Sequence, residues 1–429
     1  MIARPLLAAL TLTLAATVTL GGCEGKDAHI VGPAGAPAFV NYVALGTGLS
    51  MGVQSGGVTA SMQAQAWPAL LARQAGTPFQ IPFLRSPGCT PPLIAPLQLA
   101  RYLSGASAAA PDSSCAGMLG AYTPPLNNLA LSGATAWTAL TLTPRLVTAP
   151  GSTYGAADRG RYAAVLASTQ SQVTAMLIAK PTFVSVELGV NEVLGAVTTG
   201  LTVPAVSYEQ AEPYTFVPAS VFAPLYASVA DSVKLSGARA LLLTVPRVTK
   251  LASLRRGAEL WNDRAGLTVA GVNVAADCAG SPNLLFTPAI VPALAATALS
   301  TGTAQPLSCA DVAGAVDFVL TPTEVATLDA VVDQMNAQIT ALAKQNGWAL
   351  VDVNAVFDRF ATARAPYSAA VQLGCVYPYG QYVSLDGVHP NAAGQQLLAN
   401  AAAEAANATY GFALPTSPVP AMAAAQLCP

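Results

Sequence analysis

The chain reads as an α/β protein: a three-layer αβα sandwich with helices on both faces of a central parallel sheet of about five strands, enlarged by long loop insertions. Three observations lead there. Segments with apolar residues at helical spacing alternate with short β-branched runs. The first of them, Phe39 to Leu45, is nearly continuous in apolar residues, as strands buried on both faces are. Each run stops at Gly or Pro, or passes straight into polar residues, and strands alternating with helices build parallel sheets. With 429 residues, the chain has room for two or three average domains or for one elaborated α/β domain.

In order along the chain, residues 23–38 are rich in Gly, Pro and Ala with little to bury and read as a tether, so the folded domain is expected over 39–412, with a tail at 413–429. Phe39 to Leu45 has the composition of a buried parallel strand and stops at Gly46. Trp67 to Gln74 reads as a helix with Pro68 in its first turn and Gly76 beyond its end. Phe79 to Phe83 is a candidate second strand, and the Pro-rich, cysteine-flanked stretch from Leu84 to Pro125 reads as loop. Tyr162 to Ala179 carries a helical spacing that Pro181 ends, and Thr182 to Leu188 follows as a strand closed by Gly189.

The pattern then repeats. Val221 to Leu235 is helical, Gly237 stops it, and Ala240 to Val245 is the next strand. Thr321-Pro322-Thr323-Glu324 is a capping box with Pro at the first helical position. Val325, Leu328, Val332, Met335, Ile339 and Leu342 mark one face of the helix it opens, Asn346-Gly347 ends it, and Trp348 to Val353 is a strand. An Ala-rich helix from Asn391 to Tyr410 closes the domain. Between these units lie two irregular insertions, about 198–218 and 252–320, of the length used for lids and binding elements and equally for plain decoration.

The N-terminus combines Arg4, an apolar run from Pro5 to Leu20, and Gly21-Gly22-Cys23. A basic start, a short apolar stretch and small residues make a secretory signal over 1–22, too short for a comfortable membrane span. It resembles a bacterial lipoprotein signal with Leu20-Gly21-Gly22-Cys23 as lipobox. That resemblance implies acylation of Cys23 and a mature chain anchored by lipid to an envelope membrane. An ordinary signal with an incidental Cys is the other reading. Beyond Cys23 there are Cys89, Cys115, Cys278, Cys309, Cys375 and Cys428, an even number suited to disulfides in an exported protein. The sequence-local pairs 89–115, 278–309 and 375–428 would each staple an irregular segment.

Only 9% of residues are charged, the net charge is -2, and no basic stripe occurs, which argues against nucleic acid as a partner. No phosphate-binding glycine loop or paired-cysteine metal motif is present, so neither cofactor nor metal is expected. The chain holds two histidines, His29 in the tether and His389, so a neutral-pH general base in the folded part is expected at His389. Asp386, three residues earlier across Gly387, has the spacing of an acid that orients an imidazole. The same residues also fit a turn in which Asp386 caps the helix opening at Pro390-Asn391. In open α/β sheets ligands gather beyond the carboxyl ends of the strands, and Gly46-Thr47-Gly48-Leu49-Ser50 and Gly189-Val190-Asn191-Glu192 both follow strands directly.

Four blocks in this order resemble those of the SGNH/GDSL esterases and lipases: Tyr42 to Gly52, the glycine block around Gly133, Gly189-x-Asn191, and Asp386-Gly387-Val388-His389-Pro390. The likeness runs from about Phe39 to Tyr410. It implies a flavodoxin-like sandwich and hydrolysis of acyl or acetyl esters of lipids or polysaccharides. It also implies His389 as general base, Asp386 as its orienting acid, and an oxyanion hole from the backbone N–H groups of Gly48 and Gly133 with the Asn191 amide. Asn191 as a helix cap and Gly133 as a plain turn glycine remain alternative readings.

One departure is large. The family's nucleophilic Ser belongs at position 48 behind an Asp or Asn, and this chain has Gly48 behind Thr47. Ser50 is the nearest surrogate nucleophile, although two positions around a turn redirect a side chain. Glu192 stands where the family usually has Asp. Two functions are open: an ester hydrolase of impaired activity, or an inactive pseudo-hydrolase that binds glycan or lipid in the same cleft.

Overall fold

The computed structural model describes residues 36–421 except 109, 123 and 209–214. The signal segment, Cys23, His29, most of the tether and Cys428 lie outside the described residues.

The central sheet consists of β1 (Tyr42–Gly46), β2 (Phe183–Glu187), β3 (Arg239–Leu243) and β4 (Ala349–Val351), all parallel and adjacent in that order. Every residue of β1 and β2 is buried, which accounts for the apolar run of β1, while β2 buries the polar Ser185 and Glu187 as well. A fifth segment lies on the open side of β1. Asn127 accepts from Ala44 N–H at 2.8 Å, Leu129 N–H donates to Ala44 O at 2.9 Å, and Leu131 N–H donates to Gly46 O at 3.0 Å. Counting it, the chain lays its second element on one side of β1 and all later ones on the other. That makes the end of β1 a topological switch point, where ligands bind in such sheets.

Phe79 to Phe83 is not a strand, contrary to its composition; Gln80 O instead accepts from Asn127 N–H at 3.0 Å and so helps fix the segment that takes the edge position. The helix Trp67–Gln74 packs on the closing helix Ala392–Tyr410 in one layer, and Ala219–Leu235 packs on Pro322–Asn346 in the other. Thr321 N–H donates to Glu324 at 2.8 Å and Glu324 N–H returns to the Thr321 hydroxyl at 3.3 Å, completing the capping box. Gly347, at φ +66°, closes that helix.

Two further expectations need correction. The spacing from Tyr162 to Ala179 covers two helices, Ala156–Val165 and Gln172–Ala179, because Ser171 starts a new one by accepting from Thr174 N–H. The second insertion is not irregular. It folds around its own small core, with Leu254–Arg256, Leu284–Phe286 and Val319–Leu320 as an antiparallel sheet, the helix Thr287–Thr301, and a disulfide between Cys278 and Cys309. Strands of two or three residues are too short to show a period. Cys89 and Cys115 are likewise bonded, tying down the long loop before residue 127. The third pairing involves Cys428, outside the described residues. Among the described residues no helix is long and apolar enough to cross a membrane.

Candidate active site

His389 sits on the loop that leads into the last helix. Ser384 N–H donates to His389 O at 2.9 Å and closes the loop on itself. Gly387, at φ +71°, packs so tightly that a Cβ would lie 2.5 Å from both Pro288 and Ser253 side chains. Asp386 Oδ2 lies 2.8 Å from His389 Nδ1 and accepts Gly56 N–H at 2.6 Å. Its Oδ1 accepts the N–H groups of Val388 and His389, each at 2.9 Å, and the Ser384 hydroxyl at 3.0 Å. Burial pushes the Asp386 carboxyl up, but His389 and these donors outweigh it and hold it below the usual carboxylate range. The ionised carboxylate therefore takes the Nδ1 proton as its donor and leaves the lone pair on Nε2. Asp386 does not cap the final helix. Asn391 does, its Oδ1 accepting from Ala393 and Gly394 N–H at 3.0 and 3.2 Å.

The turn after β1 carries Gly48. Thr47 caps the short helix Gly48–Met51, and both its N–H and its hydroxyl donate to the carboxylate of Glu187 at the end of β2, at 2.9 and 2.8 Å. The Ser50 hydroxyl donates to the same carboxylate at 2.9 Å and accepts from Trp67 Nε1 at 3.1 Å. Burial pushes Glu187 up to about 7 against the opposing pull of these bonds. Ser50 is thus fully buried inside the turn and does not line the pocket that holds His389. This placement speaks against it as a nucleophile, which must reach the base. Gly48, by contrast, faces the imidazole: a Cβ there would stand 2.8 Å from His389 Nε2, 3.2 Å from Val53 Cγ2 and 3.4 Å from Ser132 Oγ.

Gly133 lies in the turn Leu131–Ala134, which Ala134 N–H closes on Leu131 O at 3.1 Å. Its φ of +82° at the third position is what a type II turn demands, and explains Gly there. The turn is tied to the helix after β2, since Asn191 Nδ2 donates to Ala134 O at 2.7 Å and Ala136 N–H donates to Glu192 at 2.7 Å. Asn191 is the first residue of the helix Asn191–Thr199 and is not its cap. One of its amide hydrogens is spent on Ala134, leaving the other for the pocket. Glu192, buried and pushed up to about 7 by that burial, also accepts from Tyr208 OH at 3.0 Å.

These loops enclose a cavity of about 180 Å³. Gly48, Ser132, Gly133, Asn191 and His389 contribute its polar side; Leu49, Val190, Leu194, Leu251, Phe357 and Val388 are apolar walls. Arg247 lines it too, its guanidinium held by Asp333 at 2.9 and 2.8 Å. Asp386 stands behind His389, outside the lining. Sequence reasoning gave no role to Ser132, Glu187 or the Gly56 N–H. Glu187 alone left a signal, as an acid closing a mostly apolar strand.

No family model matches the chain, and no curated protein matches it. Among solved structures, it is similar to an α/β hydrolase from the metagenome of Lake Arreo, Spain, at 13% identity and TM-score 0.36, over 85% of this chain and 93% of that one. A mutant of an acetyl-xylooligosaccharide esterase from Geobacillus is similar at 13% identity and TM-score 0.35, over 85% and 92% of the two chains. The structure named TesA is similar at 13% identity and TM-score 0.33, over 86% and 98%.

Proposed function

We propose that this chain is an ester hydrolase of the SGNH/GDSL type, exported and held on the cell envelope by lipid on Cys23, with turnover reduced by the missing hydroxyl at position 48. Its substrates on this reading are acyl or acetyl esters of lipids or polysaccharides. The observation that carries it is the orientation of His389, whose Nε2 lone pair points at Gly48 inside a largely apolar pocket that Gly48, Gly133 and Asn191 also line. Acyl transfer through a tetrahedral intermediate needs uncharged donors aimed at the developing oxyanion, and this set supplies them. The apolar walls suit the acyl part of an ester. Two disulfides agree with an oxidising compartment.

A second reading, binding without cleavage, is favoured by one observation: position 48 has no side chain, and the nearby Ser50 is sequestered by Glu187. Loss of a triad Ser costs ~10⁶ in turnover and leaves ~10³ to 10⁴ over water. The two readings separate in one assay. Purified mature protein is given short-chain nitrophenyl esters beside His389→Ala. Hydrolysis that disappears in the variant supports the enzyme; rates equal to buffer in both, with retained ester binding, support the binder.

A further inference from the structure

We propose that Ser132 supplies the attacking hydroxyl that residue 48 lacks, so that the nucleophile has moved from the turn after β1 to the neighbouring turn. The inference rests on the ester-hydrolase reading above. A Cβ built on Gly48 would stand 2.8 Å from His389 Nε2 and 3.4 Å from Ser132 Oγ. The base and the hydroxyl therefore flank the same point, and their separation is at most the sum of those two distances. Such pairs are often long in a free enzyme and tighten with substrate bound.

Three features single out Ser132 among the nearby hydroxyls. The Thr47 and Ser50 hydroxyls are both buried and committed to Glu187. Ser132 is half-buried, lines the pocket, and has no hydrogen bond from its hydroxyl to any described residue. It stands second in the turn closed by Ala134 N–H on Leu131 O, and is followed by Gly133. A nucleophile on a tight turn whose next N–H serves the oxyanion hole is an arrangement that acyl-transfer enzymes use.

The chemistry balances without a further reactant. Ser132 Oγ bonds to the ester carbonyl carbon while its proton passes to His389 Nε2. The tetrahedral intermediate collapses with cleavage of the C–O bond, and the leaving alkoxide takes that proton. Water then attacks the acyl-serine through the same base, releasing the acid and restoring the Ser132 hydroxyl.

The test uses a fluorophosphonate probe on the mature protein, with the labelled peptide located by mass spectrometry, beside steady-state hydrolysis by Ser132→Ala and Ser132→Cys. Label on Ser132, its loss in Ser132→Ala, and a fall in kcat of ~10² or more are expected. Ser132→Cys should trap an acyl-thioester or be alkylated by iodoacetamide at a rate that His389→Ala slows. Absence of label from Ser132 overturns the inference, whatever the variants do. If the unchanged protein still turns over ester in a His389-dependent way, the hydrolase reading survives with water as the attacking group. If it neither labels nor turns over, both fall.

Discussion

The loop Ser384–Pro390 and the turn Gly46–Met51 meet at one pocket, yet they are held in different ways. On the His389 side, the groups that fix the imidazole are those given chemical roles in the proposal: Asp386 binds the ring and is in turn held by the N–H groups of Gly56, Val388 and His389. Removing Asp386 takes the acceptor from the ring and from all three N–H groups at once. On the turn side, Glu187 grips Thr47 and Ser50 and makes no bond to residue 48. Position 48 can therefore lose its side chain while the turn keeps its shape. Scaffold and chemistry are fused in one loop and separable in the other.

The largest expected effects break the fused side. With Ser132 as the attacking group, His389→Ala should lower kcat for a nitrophenyl ester by ~10⁴ or more. Asp386→Asn should cost ~10³ to 10⁴, because the amide presents the wrong partner to Nδ1 and disturbs the tautomer. Asn191→Ala removes a proposed oxyanion donor and should cost ~10² in kcat with little change in KM. On the separable side the effects are smaller. Gly48→Ala and Gly48→Ser both force the imidazole back from a Cβ 2.8 Å from Nε2. The Ala variant should lose activity, and the Ser variant should exceed it by ~10² through its new hydroxyl, read as label on residue 48.

The two regions should also respond to pH with opposite signs. Asp386 is held below the usual carboxylate range, so its contribution to stability is present above that range and is lost as pH falls through its folded value. Glu187, raised from 4.5 to about 7, keeps its proton in the native state while the unfolded chain loses it. Stability should then fall as pH rises from about 4.5 to about 7 and level off above. Thermal denaturation of Glu187→Gln should show a shallower slope in that window, a few degrees at most; an unchanged slope would remove Glu187 from this account.

Much of this was legible in the sequence. The four sheet strands follow from apolar runs ended by Gly, Pro or a polar residue, and Thr321 announces its helix through the capping box. The edge segment beside β1 was not, because Asn127 and Asn128 carry its pairing through polar side chains as well as backbone, which no period records. The 252–320 insertion escaped because its strands are two or three residues long. At the site, loops after strands announced Gly48 and Asn191, whereas the nearness of Ser132 to His389 arises from two turns more than 250 positions apart in the sequence.

The most direct measurement is nitrogen NMR of protein labelled at its two histidines, with His389 assigned by its loss in His389→Gln. With the ring neutral, His389 should carry its proton on Nδ1, and its bare Nε2 should shift when a short-chain alkyl methyl ketone, an ester analogue that is not hydrolysed, fills the pocket. A proton on Nε2, or a resonance indifferent to the ketone, would contradict a base aimed at a bound ester.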